Sequence, residues 1–381
     1  MDSRIALAAD TQLHFKNKEG GAVLYTIIKE IGRGGSCIVY DASYETNTGD
    51  IKYVRIKECY PFKLRIERAT DGCLSADPAD QTLFTTAQDK FRSDFSLGNG
   101  LFYAEGLYDA LTNTIDIYSG NGTVYLVSAF SPENTLATYH PKSLCVCVTL
   151  AKQVAQILKR IHNEGYLYLD TKPDNVLVLD SYATRVQLFD LDSLIRMDKT
   201  GQGASVDPRS VRVSFSKGFA AIELQTGKVK RLGRHTDVYG VGALLFNLIF
   251  GTTPTAMDCE PNATYDFSKS LYATETYHDK LYVALTDFFH NALANFYADR
   301  YQDMVQVIEQ LSIVEALSDP SKPYINSSII TAPRSVVGRK SELQALQSWL
   351  DNSNSPCVFI TGMGGIGKST LVRTFLAQLE S

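Results

Sequence analysis

Five side chains in this sequence, Lys57, Asp170, Lys172, Asn175 and Asp190, are of the types that manage a mobile anionic group. The run Tyr168-Leu169-Asp170-Thr171-Lys172-Pro173-Asp174-Asn175 gives an aspartate, a lysine two residues later and an asparagine five residues later. Twenty residues beyond Asp170 stands Asp190, in Leu188-Phe189-Asp190-Leu191-Asp192. Lys57 closes Val54-Arg55-Ile56-Lys57, and upstream of it lies Gly32-x-Gly34-x-x-Cys37-x-Val39. Such a glycine-rich turn can lay its backbone close over phosphates that side chains would obstruct. A migrating phosphoryl group needs its charge neutralised by metal and lysine and its nucleophile held in line. Each element is mildly suggestive alone; the ordered set points to phosphoryl transfer.

A second phosphate-binding pattern stands near the C-terminus. Pro356–Thr361 reads as a buried strand, followed by Gly362-Met363-Gly364-Gly365-Ile366-Gly367-Lys368-Ser369-Thr370 and a helix. This is G-x-x-x-x-G-K-S in a strand–loop–helix setting, where backbone N–H groups cradle phosphates. Gly362, Gly364 and Gly367 also fit a dinucleotide fingerprint, but Lys368-Ser369 decides for the P-loop.

The elements that must position these residues change character along the chain. Residues 1–21 are polar and weakly patterned; Val23–Ile31 and Ile51–Lys57 alternate as strands. A Gly/Asp/Pro-rich loop surrounds Asp71–Asp80, and helical periodicity runs from Leu83 to Phe102. Thr114–Tyr118 and Thr123–Phe130 flank Ser119-Gly120-Asn121-Gly122, a hairpin signal. Beyond Ser131 the pattern is helical: Ser143–Asn163, ending at Gly165, then Val238–Phe250, Lys280–Phe296 and Tyr301–Leu317. Val238–Phe250 is apolar nearly all round, which predicts a helix buried in a large core. A Ser/Pro/Asn-rich stretch, Ser318–Pro333, reads as a linker.

Over residues 22–317 the ordered motifs resemble the eukaryotic-type protein kinases, in particular those found in bacteria, on Gly165–Asp170 and Phe189-Asp190-Leu191-Asp192-Ser193. The resemblance implies an α+β, bilobal kinase fold: a β-rich N-lobe over 22–130 and an α-rich C-lobe over 131–317, after an N-terminal extension of residues 1–21. It implies that Lys57 binds the α/β-phosphates, Asp170 accepts the substrate hydroxyl's proton, and Lys172 steadies the transferred group. Asn175 and Asp190 would hold Mg²⁺, and Gly32, Gly34 and Val39 would cover the nucleotide. Ser128 would gate the base pocket, with Ala129 to Ser131 as the hinge that meets the adenine. Glu223 and Arg300 would form a buried ion pair, and Asp237 would hold the catalytic loop through backbone N–H groups. Lys172 together with Ser216 favours serine or threonine over tyrosine as the acceptor.

Departures from the family pattern qualify this reading. Cys37 stands in place of the third glycine, and Tyr168-Leu169 replaces the usual His-Arg, so control through a phosphorylated activation loop in Thr200–Ser216 is not expected. Asp192 replaces a glycine and should restrict flipping of its loop. The helix acid that would pair with Lys57 is best assigned to Asp94, with Gln88, Asp89 and Glu67 as alternatives. A nucleotide-binding pseudokinase serving as a regulatory module therefore stands as the alternative to an active serine/threonine kinase.

Residues 335–381, with Val337-Gly338-Arg339-Lys340-Ser341-Glu342-Leu343 ahead of the P-loop, resemble the start of the signal-transduction NTPases of the NB-ARC and NACHT kind, a partial α/β segment. That resemblance implies that Gly362 and Gly367 shape the loop, Lys368 meets β/γ-phosphates and Ser369 meets Mg²⁺. With no acidic strand following, the segment reads as part of a larger kinase–NTPase signalling protein whose missing part senses or oligomerises, and it is not expected to hydrolyse ATP by itself. Residues 318–334 would link the two parts.

The bulk properties fit this picture. The 381 residues are 44% apolar and 21% charged with net charge −5, ordinary for a soluble protein and unsuited to nucleic acid. The N-terminus lacks a signal-peptide pattern and no apolar run is long enough to span a bilayer. Seven scattered cysteines suggest buried thiols in a reducing cytoplasm. Expected ligands are ATP, Mg²⁺ and a protein bearing the acceptor hydroxyl, with no membrane partner.

Overall fold

The computed structural model describes the chain apart from residues 1, 17–19, 105–106, 109, 113, 130–134, 180–184, 199–202, 206–214, 274–278, 320–338, 353–357, 364–365 and 381. Two compact units divide it, Met1–Glu315 and Ala316–Ser381. The first opens with strands β1 (Gln12–Lys16), β2 (Ala22–Arg33), β3 (Cys37–Glu45) and β4 (Ile51–Cys59). A small hairpin, β5 (Ile66–Arg68) and β6 (Leu74–Ala76), leads into helix α1 (Gln81–Phe102), then β7 (Thr114–Gly120) and β8 (Thr123–Ala129). The main sheet is antiparallel in the order β1-β2-β3-β4-β8-β7.

Alternation along β4 decides which side chains face which way. Val54, Ile56 and Glu58 are buried on one face, while Arg55 and Lys57 share the other, because strand side chains repeat every two residues. β4 pairs with β8 so that Lys57 lies opposite Leu126 and Arg55 opposite Ser128. The β7–β8 turn uses Asn121 (φ 47°) and Gly122 (φ 71°), both left-handed, as a two-residue hairpin requires. Under the sheet, fully buried Glu58 takes Arg68 Nη2 at 2.6 Å and the hydroxyls of Tyr40 and Tyr125 at 2.9 Å each. A carboxylate so placed persists only because each of its oxygens is hydrogen-bonded and its charge is matched.

Residues 1–21, read as a polar and weakly patterned extension, contribute side chains to the core of the sheet. Leu7, Leu13 and Phe15 are buried in the same core as Ile38 and Ile56, and Phe15 stacks on Tyr118 at 4.7 Å between centroids. Strand β1 is short and only Leu13 and Phe15 alternate inward, too little periodicity to stand out in the sequence. The Asp71–Asp80 loop likewise contains β6, within the hairpin it makes with β5.

Helices dominate from residue 144 onward. They are α2 (Leu144–Asn163), α3 (Ile222–Gln225), α4 (Arg234–Phe250), α5 (Asp279–Leu293) and α6 (Met304–Ser318), with short strands β9 (Tyr166–Leu167), β10 (Val176–Val178), β11 (Val186–Leu188) and β12 (Ile195–Arg196) between α2 and α3. Ser143 caps α2 by accepting the Val146 N–H at 3.3 Å, and Gly165 (φ 86°) lies just past its end. α4 packs against both α2 and α5, which is why it is apolar all round: Val238, Val241, Leu244 and Leu245 are fully enclosed. Phe288 and Phe289 of α5 are also fully buried, each adding roughly 1.5–3 kcal/mol of hydrophobic stabilisation.

The second unit is small. Helices α7 (Lys340–Asn352) and α8 (Lys368–Glu380) pack through Leu346, Leu371 and Phe375, with Ile360 against them. Val358–Ile360, expected within a buried strand, does not form one; Phe359 is 85% exposed, and no strand among the described residues lies beside it to complete a ladder. Pro356 and Cys357, the Val337-Gly338 pair and most of the Ser318–Pro333 linker lie outside the described residues. Among the described residues no helix is long and apolar enough to cross a membrane.

Candidate active site

The catalytic-loop candidates are held from below by one buried carboxylate. Asp237, on the first turn of α4, accepts the Leu169 N–H at 2.7 Å and the Tyr168 N–H at 2.9 Å. His162, near the end of α2, meets the same Asp237 Oδ2 at 2.8 Å. These bonds support Leu169 in a left-handed conformation (φ 65°), strained for a residue with a side chain, so the loop turns sharply just before Asp170. Tyr168 is fully buried, its hydroxyl donating to the Phe189 carbonyl at 2.6 Å; burial pushes its pKa well above the ordinary phenol value. That bond ties the loop of Asp170 to the loop of Asp190.

Around Asp170 the side chains converge. Asn175 Nδ2 donates to Asp170 Oδ2 at 2.8 Å and to the Asp170 carbonyl at 3.0 Å. Lys172 Nζ donates to Asp170 Oδ2 at 2.8 Å and to Ser216 Oγ at 2.9 Å. The Ser216 hydroxyl donates to Asp170 Oδ1 at 3.0 Å. A serine hydroxyl thus rests on an aspartate oxygen with an ammonium group beside both, the geometry needed to take a proton from an attacking alcohol.

Above this cluster, Lys57 Nζ reaches Asp190 Oδ1 at 2.6 Å. Asp190 itself has φ 60°. Asp94 of α1 holds Lys90 at 2.5 Å; it also feels the charges of Lys57 and Asp190, and burial raises its pKa. The other helix-acid candidates point elsewhere: Gln88 bonds the Gly122 carbonyl, Asp89 pairs with Arg92, and Glu67 is exposed on β5. α1 comes close to the Asp190 loop at Gly98, where a Cβ would sit 3.1 Å from Leu191 Cδ1.

A cleft of about 730 Å³ gathers these groups. Gly32, Gly34 and Val39 border it with Lys57, Asp94, Ser128, Ala129, Lys172, Asn175 and Asp190. Ser131 lies outside the described residues, as does the side chain of Asp192. Arg55 also lines the cleft, opposite Ser128 and 3.4 Å from Asp41 Oδ1. The sequence signal for it was its place two residues before Lys57, on the same strand face. Asp190 carboxylate oxygens and the Asn175 amide oxygen (its nitrogen being taken by Asp170) are hard donors of the kind Mg²⁺ prefers.

Glu223 and Arg300 meet fully buried, Nη1 to Oε1 at 2.7 Å and Nη2 to Oε2 at 3.1 Å, with Thr236 Oγ1 adding a third bond. In the second unit Lys368 opens α8 and folds its Nζ back onto the carbonyls of Gly362 and Met363, at 2.8 and 2.9 Å. Gly362 (φ 151°) and Gly367 (φ 89°) adopt backbone geometry that side chains avoid; Ser369 follows on the first turn, exposed. Gly364 and Gly365 lie outside the described residues.

This bilobal architecture and its cleft agree with comparisons to known proteins. The protein kinase domain model matches residues 107–311, more than half of the chain, and the AAA ATPase domain model matches residues 335–381. The chain belongs to the protein kinase family. It is 24% identical over 302 residues to the probable serine/threonine-protein kinase PknB of Lactococcus lactis, covering 77% of this chain and 42% of that protein. It is 25% identical over 134 residues to smooth-muscle myosin light chain kinase of Gallus gallus, covering 33% of this chain and 6% of that one. The chain therefore spans less than half the length of these curated relatives. Among solved structures, the apo form of PpkA-294 superposes with a TM-score of 0.57 at 23% identity, covering 80% of this chain and 99% of that one. The BubR1 kinase domain gives 0.51 at 19%, covering 82% and 84%. Both show the shared fold.

Proposed function

We propose that this chain transfers the γ-phosphoryl group of ATP to serine or threonine hydroxyls of a protein substrate. The observation that carries the reading is the Ser216 hydroxyl held 3.0 Å from Asp170 Oδ1 while Lys172 contacts both. Asp170 accepts the proton of the incoming alcohol; Lys172 offsets negative charge on the moving group; Lys57 draws the α/β-phosphates into register. Bound Mg²⁺, held by Asn175 and Asp190, would supply charge neutralisation of the phosphates. Gly32, Gly34 and Val39 cover the nucleotide, and Ser128, Ala129 and Ser131 meet its base. The names of the relatives, serine/threonine kinases among them, support the choice of acceptor.

We take the N-lobe to run to residue 130, the C-lobe to 317 and the linker to 334, with the strand β1 region counted within the N-lobe. The P-loop portion, with Gly362, Gly367, Lys368 and Ser369 as its phosphate-facing residues, is read as the start of an NB-ARC- or NACHT-like switch. What supports this is the Val337–Leu343 pattern and the G-x-x-x-x-G-K-S loop that leads into α8. In this reading the protein works in the cytoplasm, with ATP and a protein bearing the acceptor hydroxyl as its partners. The pairing of Asp94 with Lys90 favours a second reading, a pseudokinase that binds nucleotide without transferring phosphate.

The test is Mg²⁺-dependent transfer of label from ATP to the protein and to a generic basic substrate, beside Asp170→Asn and Lys368→Ala. Label on serine or threonine that disappears with Asp170→Asn and survives Lys368→Ala supports the kinase. ATP binding without any label supports the pseudokinase.

A further inference from the structure

The glycine-rich loop between β2 and β3 is fastened from outside the cleft by a residue near the start of the chain. Arg4 is 8% exposed. Its Nη2 donates to the Gly34 carbonyl at 2.8 Å, and its Nη1 donates to the carbonyls of Cys37, at 3.2 Å, and Tyr60. Two more loop carbonyls are taken by backbone donors: Gly35 by the Phe62 N–H and Ser36 by the Tyr60 N–H, both at 2.9 Å. The carbonyls of residues 34 to 37 are therefore all engaged.

A trans peptide unit points its N–H opposite to the preceding carbonyl. Fixing the carbonyls of Gly34, Gly35 and Ser36 therefore also fixes the directions of the N–H groups of Gly35, Ser36 and Cys37, each turned away from the acceptor bond of the residue before it. Successive N–H groups aimed together form an anion-binding concavity. Gly34 and Cys37 border the cleft that also holds Lys57.

Arg4 is itself held in place. Asp2 accepts from its Nη2 at 2.6 Å and its Nε at 3.0 Å. Arg33 donates to the Arg4 carbonyl at 2.7 Å, Arg68 to the Ile5 carbonyl at 2.8 Å, and the Leu7 N–H donates to Tyr40 Oη at 3.1 Å. Arg68 and Tyr40 are the partners of buried Glu58, so the arm is continuous with the ion-pair network under the sheet.

We propose that Arg4 is a positioning residue for nucleotide phosphates: it holds the Gly34 and Cys37 carbonyls so that the loop's N–H groups form a preset phosphate cradle. The proposal rests on the nucleotide-binding reading above. It acts on phosphates through the loop and leaves the base pocket untouched.

The experiment compares ADP and adenosine binding by calorimetry in the full chain and in Arg4→Ala, Arg4→Lys and Asp2→Ala. Arg4→Ala should weaken ADP about tenfold, the scale of a lost charge-assisted hydrogen bond, and change adenosine by less than about twofold. Arg4→Lys should restore part of the loss, and Asp2→Ala, which frees Arg4 without removing it, should give a smaller loss in the same sense. Without nucleotide, amide exchange at Gly35–Cys37 should be faster in Arg4→Ala. Unchanged ADP affinity, or equal weakening of ADP and adenosine, overturns the proposal; so does unchanged amide exchange. Should Arg4→Ala fail to fold, Asp2→Ala decides by the same comparison. Wild-type protein that binds ADP but transfers no phosphate defeats the kinase reading alone, since the ADP–adenosine contrast is still read.

Discussion

Lys57 and Asp190 stand 133 residues apart in the chain and meet at 2.6 Å in the cleft. The strand that carries Lys57 belongs to the main sheet, whereas Asp190 follows β11 beside the helical part, so this contact joins the two halves of the first unit. Both residues are only partly enclosed, with side chains 19% and 31% exposed, and can exchange this partner for a phosphate or a cation.

Removing either member should silence transfer while leaving the fold. Lys57→Ala and Asp190→Asn are each expected to lower kcat at least about a hundredfold. The double variant should lose little more than the worse single one, because the groups act as a unit. Steady-state kinetics beside thermal melting checks this; additive losses would contradict it.

The Glu223–Arg300 pair sits deeper and has a different sensitivity. Arg300→Ala leaves Glu223, 2% exposed, as an unmatched buried charge, and should cost about 3–5 kcal/mol in urea unfolding. A loss below roughly 1 kcal/mol, the range of exposed pairs, would show that water reaches the site.

Ser128 lines the cleft with Arg55 opposite it across the strand pair, and in the proposed reading its small side chain gates the base pocket. Adenine analogues with bulky N6 substituents should compete with ATP in the unmodified protein. Ser128→Met should abolish that competition and change ATP affinity by no more than about threefold. Failure of the analogues to compete with ATP in the unmodified protein would remove Ser128 from the gate.

A pH effect follows from His235 at the start of α4. Burial lowers its pKa below the usual value, while its Nε2 lies 2.9 Å from the Arg231 carbonyl. The unfolded chain then takes up a proton that the folded chain resists. The stability this group contributes is present above about pH 6.5 and falls as the pH drops through that value. His235→Gln should flatten the dependence of unfolding free energy on pH between about 7 and 5 relative to the parent. Parallel curves would show that His235 is not its source.

The parts of the site legible in the sequence are those whose geometry is local. Asp170, Lys172 and Asn175 lie within six residues, and one loop with Asp237 beneath it places all three. The hairpin at Asn121-Gly122 and the enclosed helix α4 were equally visible, since turn chemistry and all-round apolarity are written in consecutive residues. Arg4, His162 and the Glu58–Arg68 pair were not visible, because their roles depend on partners brought in by tertiary packing. Val358–Ile360 shows the reverse case: its apolar run suggests a buried strand, but burial needs neighbouring strands to cover it.

The bond from Tyr168 to the Phe189 carbonyl bears on inhibitor chemistry. Small molecules that bind by displacing Phe189 into a new cavity must first break a hydrogen bond to a fully buried phenol. Stranding that hydroxyl costs about 1–3 kcal/mol, so such compounds begin several-fold to a hundredfold weaker than their contacts alone would give. Ligands that stay at the Ser128–Ala129 end of the cleft carry no such handicap, and selective chemistry for this protein should start there.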